Sequence, residues 1–147
     1  MSNTRALFTV GSFAIIFDND GKVLLSHRRD MDAWNLPGGG LEPGELPDEC
    51  VVREVREETG LDVVVERLVG VYGKPGRNEL VFAFQCRITG GVLQSTDESD
   101  ASAYFNVEQM PPNTLLRHAE RIWDALQALN QPVIRKQGNP RRQENAT

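Results

Sequence analysis

Residues 39–61 read GGLEPGELPDECVVREVREETGL, a glycine- and proline-rich stretch followed by a run of acidic and aliphatic residues. Glycine and proline at this density favour a loop whose bare backbone approaches another group closely. Pro47 suits the first turn of a helix, the two acids after it favour a helix N-terminus, and Gly60 suits the residue that follows a helix. The stretch therefore predicts a loop followed by a helix from about Pro47 to Thr59. The expected apolar side of this helix comprises Val51, Val52 and Val55.

Three carboxylates, Glu54, Glu57 and Glu58, stand at positions i, i+3 and i+4 of this helix and share one face. Like charges at these spacings oppose helix formation by roughly 0.2–0.5 kcal/mol per pair, and acids in the last turn face the negative end of the helix dipole. A solvated salt-bridge face is the alternative; it explains Arg53 beside Glu57 but leaves the other two clustered. A hard cation such as Mg²⁺ or Mn²⁺ would reverse both penalties and keep positions open for a phosphate. The residues indicate a metal-dependent phosphate-transfer site.

The flanking sequence predicts strands and helices mixed in one domain. Strands are expected at 7–17, 22–27, 61–72, 79–88 and 103–107. The Asn-Asp-Gly sequence at 19–21 predicts a hairpin between the first two strands, and the segment 34–44 is expected to be a loop. Apolar residues at helical spacing from Leu115 to Leu129 predict a closing amphipathic helix. We expect one α/β domain over residues 1–132 and a basic, disordered tail over 133–147.

Composition bounds the class of protein. The 147 residues are 39% hydrophobic and 25% charged, which suits one packed domain and is too short for two. The net charge is −5, and residues 39–61 alone hold seven acids and two bases. The N-terminus has neither the pattern of a signal peptide nor that of a membrane span. These observations predict a cytoplasmic protein without a membrane partner.

Residues typical of transition-metal or redox sites are scarce. Cys50 and Cys86 are far apart in sequence and form no C-x-x-C pair, which fits a reducing compartment. His27 and His118 have no cysteine or second histidine at ligand spacing, and His118 is expected at the rim of the closing helix's apolar stripe. The acidic helix is therefore the one strong metal-site signal.

The quoted stretch resembles the Nudix box, G-x5-E-x7-R-E-U-x-E-E-x-G-U, in which U is a bulky aliphatic residue. Every fixed position matches, and the matching residues are Gly39, Glu45, Arg53, Glu54, Val55, Glu57, Glu58, Gly60 and Leu61. The wider chain is similar from about residue 5 to residue 130. The resemblance implies the Nudix fold, an α/β/α sandwich with a central mixed β-sheet. It also implies hydrolysis of a diphosphate bond attached to a nucleoside, with Mg²⁺ or Mn²⁺ as cofactor.

The resemblance assigns roles to individual residues. The implied metal ligands are Glu54, Glu57, Glu58 and the backbone carbonyl of Gly39. Arg53 would orient Glu54 through an ion pair, and Glu45 would support the loop or a water bound to metal. Water would attack phosphorus, and the general base would be either Glu98, in an acidic loop, or Glu54.

Several side chains outside the box are candidates for contact with the substrate. Arg28 or Arg29 could reach the diphosphate or pair with box carboxylates. Lys74 and Arg77, in a glycine- and proline-rich loop, could meet a phosphate or a ribose, with solvated turn residues as the alternative. Trp34 is expected to anchor its own loop, with stacking on a base as the alternative.

The resemblance leaves several substrate classes open. Pro75 lies 14 residues after Leu61, near but not at the position of a proline typical of ADP-ribose pyrophosphatases, and this favours an ADP-ribose-like substrate. Nucleoside triphosphates, as in nucleotide-pool cleaning, are the alternative substrate, and a catalytically silent nucleotide sensor is the alternative function. The basic tail is a thin electrostatic footprint for nucleic acid, so we expect a small nucleotide as partner. The family is compatible with a homodimer.

Overall fold

The computed structural model describes residues 4–138, and within this range the chain forms eight strands and two helices. The strands are β1 (Thr9–Ile16), β2 (Val23–Arg28), β3 (Trp34–Asn35), β4 (Gly38–Gly40), β5 (Leu61–Gly73), β6 (Glu79–Gly91), β7 (Ser99–Phe105) and β8 (Val133–Lys136). The helices are α1 (Pro47–Thr59) and α2 (Leu116–Leu126). Neither helix is long and apolar enough to span a membrane, and these are the helices of the described range.

The strands form two sheets. Five of them make a mixed sheet in the order β4-β1-β6-β5-β8, in which β1 runs parallel to β6 and β5 runs parallel to β8. The other three make an antiparallel sheet in the order β3-β2-β7. The predicted α/β class with a central mixed sheet is confirmed, and the smaller sheet is an addition to it.

The two helices pack on opposite faces of the strands. Side chains of β1 alternate between faces, so Ile15 belongs to one hydrophobic cluster and its neighbours Ala14 and Ile16 to the other. Helix α2 contributes Ile122 to the first cluster, and α1 contributes Val55 to the second. This arrangement is the expected α/β/α sandwich.

Helix α1 has the predicted bounds. The Glu49 carboxylate accepts the backbone N–H of Leu46 at 2.9 Å, and Gly60 ends the helix with a left-handed φ of 81°. One expectation is wrong, because Val52 is 37% exposed while Val51 and Val55 are fully buried. Successive helical residues point about 100° apart, so a helix that buries residues four apart turns position 52 towards solvent.

The predicted opening hairpin is wrong, although the chain does turn at Gly21. Strands β1 and β2 belong to different sheets and meet through one isolated bridge, from Phe17 to Val23. Both edges of β1 are occupied, by β6 on one side and by β4 on the other. The glycines of β4 come from the segment that the sequence indicates is a loop. A Cβ at Gly38 would lie 2.2 Å from the carbonyl oxygen of Ser12, so bare backbone permits this pairing.

The C-terminal part of the chain also differs from expectation. Helix α2 ends at Leu126, which is 41% exposed, and Leu129 beyond it is 49% exposed, so the apolar stripe is shorter than predicted. Strand β8 then pairs with β5 in a segment predicted to be a disordered tail, and Gln137 after it is buried. A disordered tail stays a prediction for residues 139–147, which lie outside the described residues.

Candidate functional site

Arg53 connects the glycine-rich loop to the carboxylates of α1. Its Nε and Nη2 donate to the two carboxylate oxygens of Glu45 at 2.6 and 2.9 Å. Its Nη1 donates to Glu54 and Glu57, each at 3.0 Å, and its Nη2 also reaches the carbonyl oxygen of Gly40. One guanidinium thus ties the glycine-rich loop to two carboxylates of α1. The predicted ion pair between Arg53 and Glu54 is present in the structure.

Glu45 supports this arrangement as the ionised partner of Arg53. The bidentate hydrogen bonds from Arg53, with a smaller contribution from the backbone N–H of Glu42, lower the pKa of Glu45 to about 2. At neutral pH its negative charge is fully committed to Arg53. The position agrees with the expected supporting role of this residue.

Three carboxylates from two parts of the chain converge beside this network. One oxygen of each of Glu54, Glu57 and Glu98 lies within 4.8 Å of the others, and no second cluster of this kind occurs among residues 4–138. Glu98 comes from the loop between β6 and β7 and reaches the face of α1 that the sequence identifies as acidic. The structure therefore brings both candidates for the general base, Glu54 and Glu98, into one place.

Glu58 lies beside this cluster and is not one of its three members. Its carboxylate accepts the backbone N–H of Gly38 at 2.8 Å. Burial, followed by the charges of Glu54 and Glu98, raises the pKa of Glu58 to about 8. Burial is also the main reason that the pKa values of Glu54 and Glu98 are raised. Burial and mutual repulsion thus disfavour the ionised forms of these three carboxyl groups.

Apolar packing of α1 offsets the repulsion between its carboxylates. Repulsion costs roughly 0.2–0.5 kcal/mol for each like-charged pair on a helix. Val51 and Val55 on the same helix are fully buried, and each such burial contributes roughly 1.5–3 kcal/mol. The buried valines therefore hold α1 in place next to the carboxylates.

Gly39 lets a carboxylate rest directly on the backbone. A Cβ at this position would lie 2.8 Å from the Glu54 carboxyl group, closer than real contacts allow. The Gly39 carbonyl, a ligand implied by the family resemblance, accepts a weak hydrogen bond from the Cys50 thiol at 3.6 Å. The role of this carbonyl as a ligand stays a prediction.

Two residues, Arg29 and Thr96, hold the loop that carries Glu98. The sequence suggested a different role for Arg29 and no role for Thr96. Arg29 donates through Nε to the carbonyl oxygen of Thr96 at 3.0 Å, so it fastens this loop, and it also lines the smaller of two adjoining cavities. The Thr96 hydroxyl donates to the carbonyl oxygen of Glu58 at 3.2 Å and accepts the backbone N–H groups of Glu98 and Ser99. A threonine that accepts N–H groups two and three residues later is a local turn motif, and that spacing was the available signal.

The three other cations proposed as substrate contacts differ in which cavity they line. Arg28 pairs with Asp30 at 2.5 Å and lines a cavity with Glu58 and Glu98. Lys74 pairs with Glu79 at 3.2 Å and lines a second, larger cavity. Arg77 lines neither of these two cavities, so a direct role in binding gains no support.

Trp34 and the histidines have structural partners. Trp34 packs edge-on against His27 and Phe105 at 5.1 and 5.0 Å between ring centroids, as expected for a residue that anchors its loop. His27 accepts or donates hydrogen bonds with Asp32 and Asp100, which raise its pKa. The expectation of a rim position for His118 is wrong, because this residue is only 7% exposed.

Two adjoining cavities provide the space for a ligand. The smaller, about 430 Å³, contains Gly39, Glu58 and Glu98 in its wall. The larger, about 840 Å³, lies against α2 and the segment that precedes it. Phe13, Arg28 and Asn35 line both cavities, so one extended molecule can occupy the two together.

Comparison with known proteins agrees with this geometry. A family model described as the NUDIX domain matches residues 7–129. A MutT-like protein from Streptomyces ambofaciens is 37% identical over 120 residues, which are 82% of this chain and 78% of that protein. A putative 8-oxo-dGTP diphosphatase from Bacillus subtilis is 39% identical over 58% of this chain and 57% of that protein. The crystal structure of an ADP-ribose pyrophosphatase from Streptococcus suis matches with a TM-score of 0.75 at 31% identity, covering 89% of this chain and 100% of that one. The chain belongs to the Nudix hydrolase family.

Proposed function

We propose that this chain hydrolyses a diphosphate bond in a nucleoside diphosphate joined to another group, with divalent metal held by the acidic cluster. The observation that carries the proposal is the approach of Glu54, Glu57 and Glu98 to within 4.8 Å of one another. Glu98 and Glu58 also face the smaller cavity. Carboxylates at this density would repel a diphosphate in the absence of cations, so the same residues that hold metal define where the diphosphate lies.

The donor set fits Mg²⁺ or Mn²⁺. Carboxylate oxygens are the hard ligands that both ions prefer, and the cluster formed by the described residues contains neither cysteine nor histidine. Burial, with repulsion from neighbouring carboxylates, raises the pKa values of Glu54 and Glu98, and a dication converts that repulsion into attraction. When bound, such ions neutralise charge on the diphosphate and lower the pKa of the attacking water.

Side chains of the protein position the reaction. Arg53 fixes Glu54 and Glu57 through its Nη1, and Glu45 fixes Arg53. Glu98 has no hydrogen bond or salt bridge from its carboxylate to the described residues, so it is free to accept a proton from water. We assign the general base to Glu98, with Glu54 as the competing assignment.

The larger cavity is the place for the nucleoside. Its volume of about 840 Å³ lies within the usual range for small-molecule sites. ADP-ribose is the first substrate to test, because the similar Streptococcus suis protein is an ADP-ribose pyrophosphatase. Nucleoside triphosphates are the second candidate, because the Bacillus subtilis relative is a putative 8-oxo-dGTP diphosphatase. A homodimer and a cytoplasmic location stay predictions from the sequence.

A substrate panel tests the proposal. The purified chain is incubated with Mg²⁺ and with ADP-ribose, NADH, dinucleoside polyphosphates, or canonical and oxidised nucleoside triphosphates, and the released nucleotides are separated and quantified. We expect turnover of at least one member, abolished by EDTA and by Glu58→Gln. Glu66→Gln is the matched control, because Glu66 belongs neither to the acidic cluster nor to the two cavities.

The outcomes separate an enzyme from a sensor. Release of a nucleoside monophosphate in the wild type and in Glu66→Gln, but not in Glu58→Gln, supports hydrolysis at the site that Glu58 forms with the neighbouring acidic cluster. Tight binding of a nucleotide with no turnover of any panel member would contradict the proposal and favour a nucleotide sensor. Equal turnover in Glu58→Gln would place the reaction elsewhere.

A further inference from the structure

The junction between the two cavities is formed by three residues, Phe13, Arg28 and Asn35, which line both of them. The smaller cavity contains Glu58 and Glu98, so the diphosphate of the proposed substrate lies there. The larger cavity then receives the base. In a nucleotide the sugar joins the phosphates to the base, so a molecule that occupies both cavities places its sugar at the junction.

The side chain of Asn35 points away from the hydrophobic core. Its neighbour Trp34 packs against one core cluster, and its other neighbour, Leu36, is a fully buried member of the same cluster. Alternate side chains of an extended chain point to opposite sides, so Asn35 projects the other way. Its partner across the sheet, Ser26, lines the smaller cavity as well. The strand thus presents Asn35 to the cavities.

The amide of Asn35 is unpaired and accessible. Its side chain makes no hydrogen bond or ion pair with residues 4–138, and the residue is partly exposed. It is also not one of the residues whose unpaired polar atoms are sealed from solvent. The oxygen and the nitrogen of this amide are therefore open to a molecule in the cavities.

The other two junction residues are less suited to a hydroxyl group. Arg28 commits Nε and Nη2 to the carboxylate of Asp30 at 2.7 and 2.5 Å. The apolar ring of Phe13 is held edge-on by His118, with 4.9 Å between ring centroids. An amide, by contrast, offers both an acceptor and donors. Asn35 can therefore accept a hydrogen bond from one hydroxyl and donate to its neighbour, which matches the adjacent 2′- and 3′-hydroxyls of ribose.

We propose that Asn35 binds the 2′,3′-diol of ribose at the junction of the two cavities. Asn35 is thereby a specificity-determining residue that favours ribonucleotides over 2′-deoxyribonucleotides. This inference rests on the proposed function, in which the diphosphate lies beside the acidic cluster and the base in the larger cavity. It favours ADP-ribose and other ribonucleotide substrates over deoxynucleoside triphosphates.

Binding of nucleoside monophosphates tests the inference without requiring turnover, because these molecules contain no diphosphate bond. The affinities of AMP and 2′-deoxy-AMP, and of GMP and 2′-deoxy-GMP, are measured by calorimetry in the presence of Mg²⁺. We expect the ribonucleotide of each pair to bind about 2- to 10-fold more tightly, the net effect of one hydrogen bond. Asn35 is partly exposed, so water can replace the lost hydroxyl and the difference should not be larger.

Variants connect the preference to Asn35. Asn35→Leu has a similar volume without hydrogen-bonding groups, and we expect it to bring the ratio of the two affinities close to one. Asn35→Ala should do the same and carries the test if the leucine variant does not fold. Asn130→Leu is the matched control, because Asn130 is exposed and lines neither cavity. It should keep the preference of the wild type.

The outcomes are distinguishable from failure of the proposed function. Equal or tighter binding of the deoxynucleotides by the wild type would overturn the inference. A ribose preference that persists in both Asn35 variants would also overturn it, because the preference would then come from sugar conformation or from another residue. Hydrolysis of a panel substrate without a ribose preference in binding would refute the inference alone. A ribose preference that both variants lose, in a chain that hydrolyses no panel substrate, would support the inference and refute the proposed activity.

Discussion

Neutralising Glu98 should change the stability of the protein in opposite directions with and without metal. The Glu98 carboxylate lies within 4.8 Å of Glu54 and Glu57. At that separation two unit charges repel by about 1 kcal/mol in water and by about 3.5 kcal/mol at an effective dielectric constant of 20. Because Glu98 is exposed and Arg53 partly offsets the repulsion, we take the lower value for two pairs and a net cost of about 1 kcal/mol.

Without metal, Glu98→Gln should therefore raise the melting temperature. For a chain of this size, about 1 kcal/mol corresponds to roughly 3 °C. With saturating Mg²⁺ the order should reverse. Removing the Glu98 charge from beside the ion should weaken Mg²⁺ binding about 10- to 100-fold, the effect typical of losing an outer-shell partner. By mass action, this weakening removes about 1.4–2.7 kcal/mol of the metal-dependent stabilisation.

The assay is thermal unfolding followed by circular dichroism in EDTA and across a Mg²⁺ titration. Asp97→Asn is the control, since Asp97 is the neighbouring acid in the same loop and is not part of the cluster. We expect its melting curve to show no reversal. The assignment of Glu98 to the metal site would be refuted if Glu98→Gln melted at a lower temperature than the wild type in EDTA. It would also be refuted if Mg²⁺ raised the melting temperature of Glu98→Gln as much as that of the wild type.

Four further predictions concern the acidic residues, Gly39 and the two histidines. Glu57→Gln and Glu58→Gln should each lower kcat by orders of magnitude at fixed Mg²⁺ with an unchanged circular dichroism spectrum; near-normal rates would remove them from the ligand set. Gly39→Ala should weaken Mg²⁺ binding measured by calorimetry, because the added Cβ would lie 2.8 Å from a cluster carboxyl group, and unaltered affinity would contradict this packing. The two histidines should titrate on opposite sides of pH 6.5 by NMR, His27 above it because of two aspartates and His118 below it because of burial. A raised pKa stabilises the fold only while the group is protonated, so the wild type should lose stability as pH rises through the His27 pKa. The control for this effect is His27→Gln, which should not show that loss.

Local signals in the sequence account for the parts of the fold that were predicted well. Helix α1 begins and ends where expected because its proline, first-turn acids and terminal glycine act within the helix itself. The acidic face was readable for the same reason, since residues at i, i+3 and i+4 meet in any helix. The same logic failed for Val52, where three valines in five residues concealed which face is buried.

Pairings between distant segments account for what was missed. The sequence around Gly38–Gly40 indicates a loop, and only the presence of a β1 edge for it to pair with makes it a strand. Strand β8 likewise depends on the free edge of β5 and not on its own basic sequence. The burial of Arg121 could not be predicted for a related reason. Arg121 lies in a helix whose apolar stripe predicts core packing, and nothing local distinguishes a buried arginine from a solvated one.

Hydrogen bonds at the C-terminal end of α1 hold Glu98, which comes from a distant loop, beside the other acidic residues. The last carbonyl groups of a helix have no partner within the helix and must find donors elsewhere. Here the carbonyl of Glu58 accepts the Thr96 hydroxyl at 3.2 Å, and the carbonyl of Thr59 accepts the backbone N–H of Gln94 at 2.9 Å. Both donors belong to the loop that carries Glu98. The hydrogen bonds that complete the helix thus also fix the distance between Glu98 and the carboxylates of α1, so the acidic residues of both segments are positioned by the same contacts.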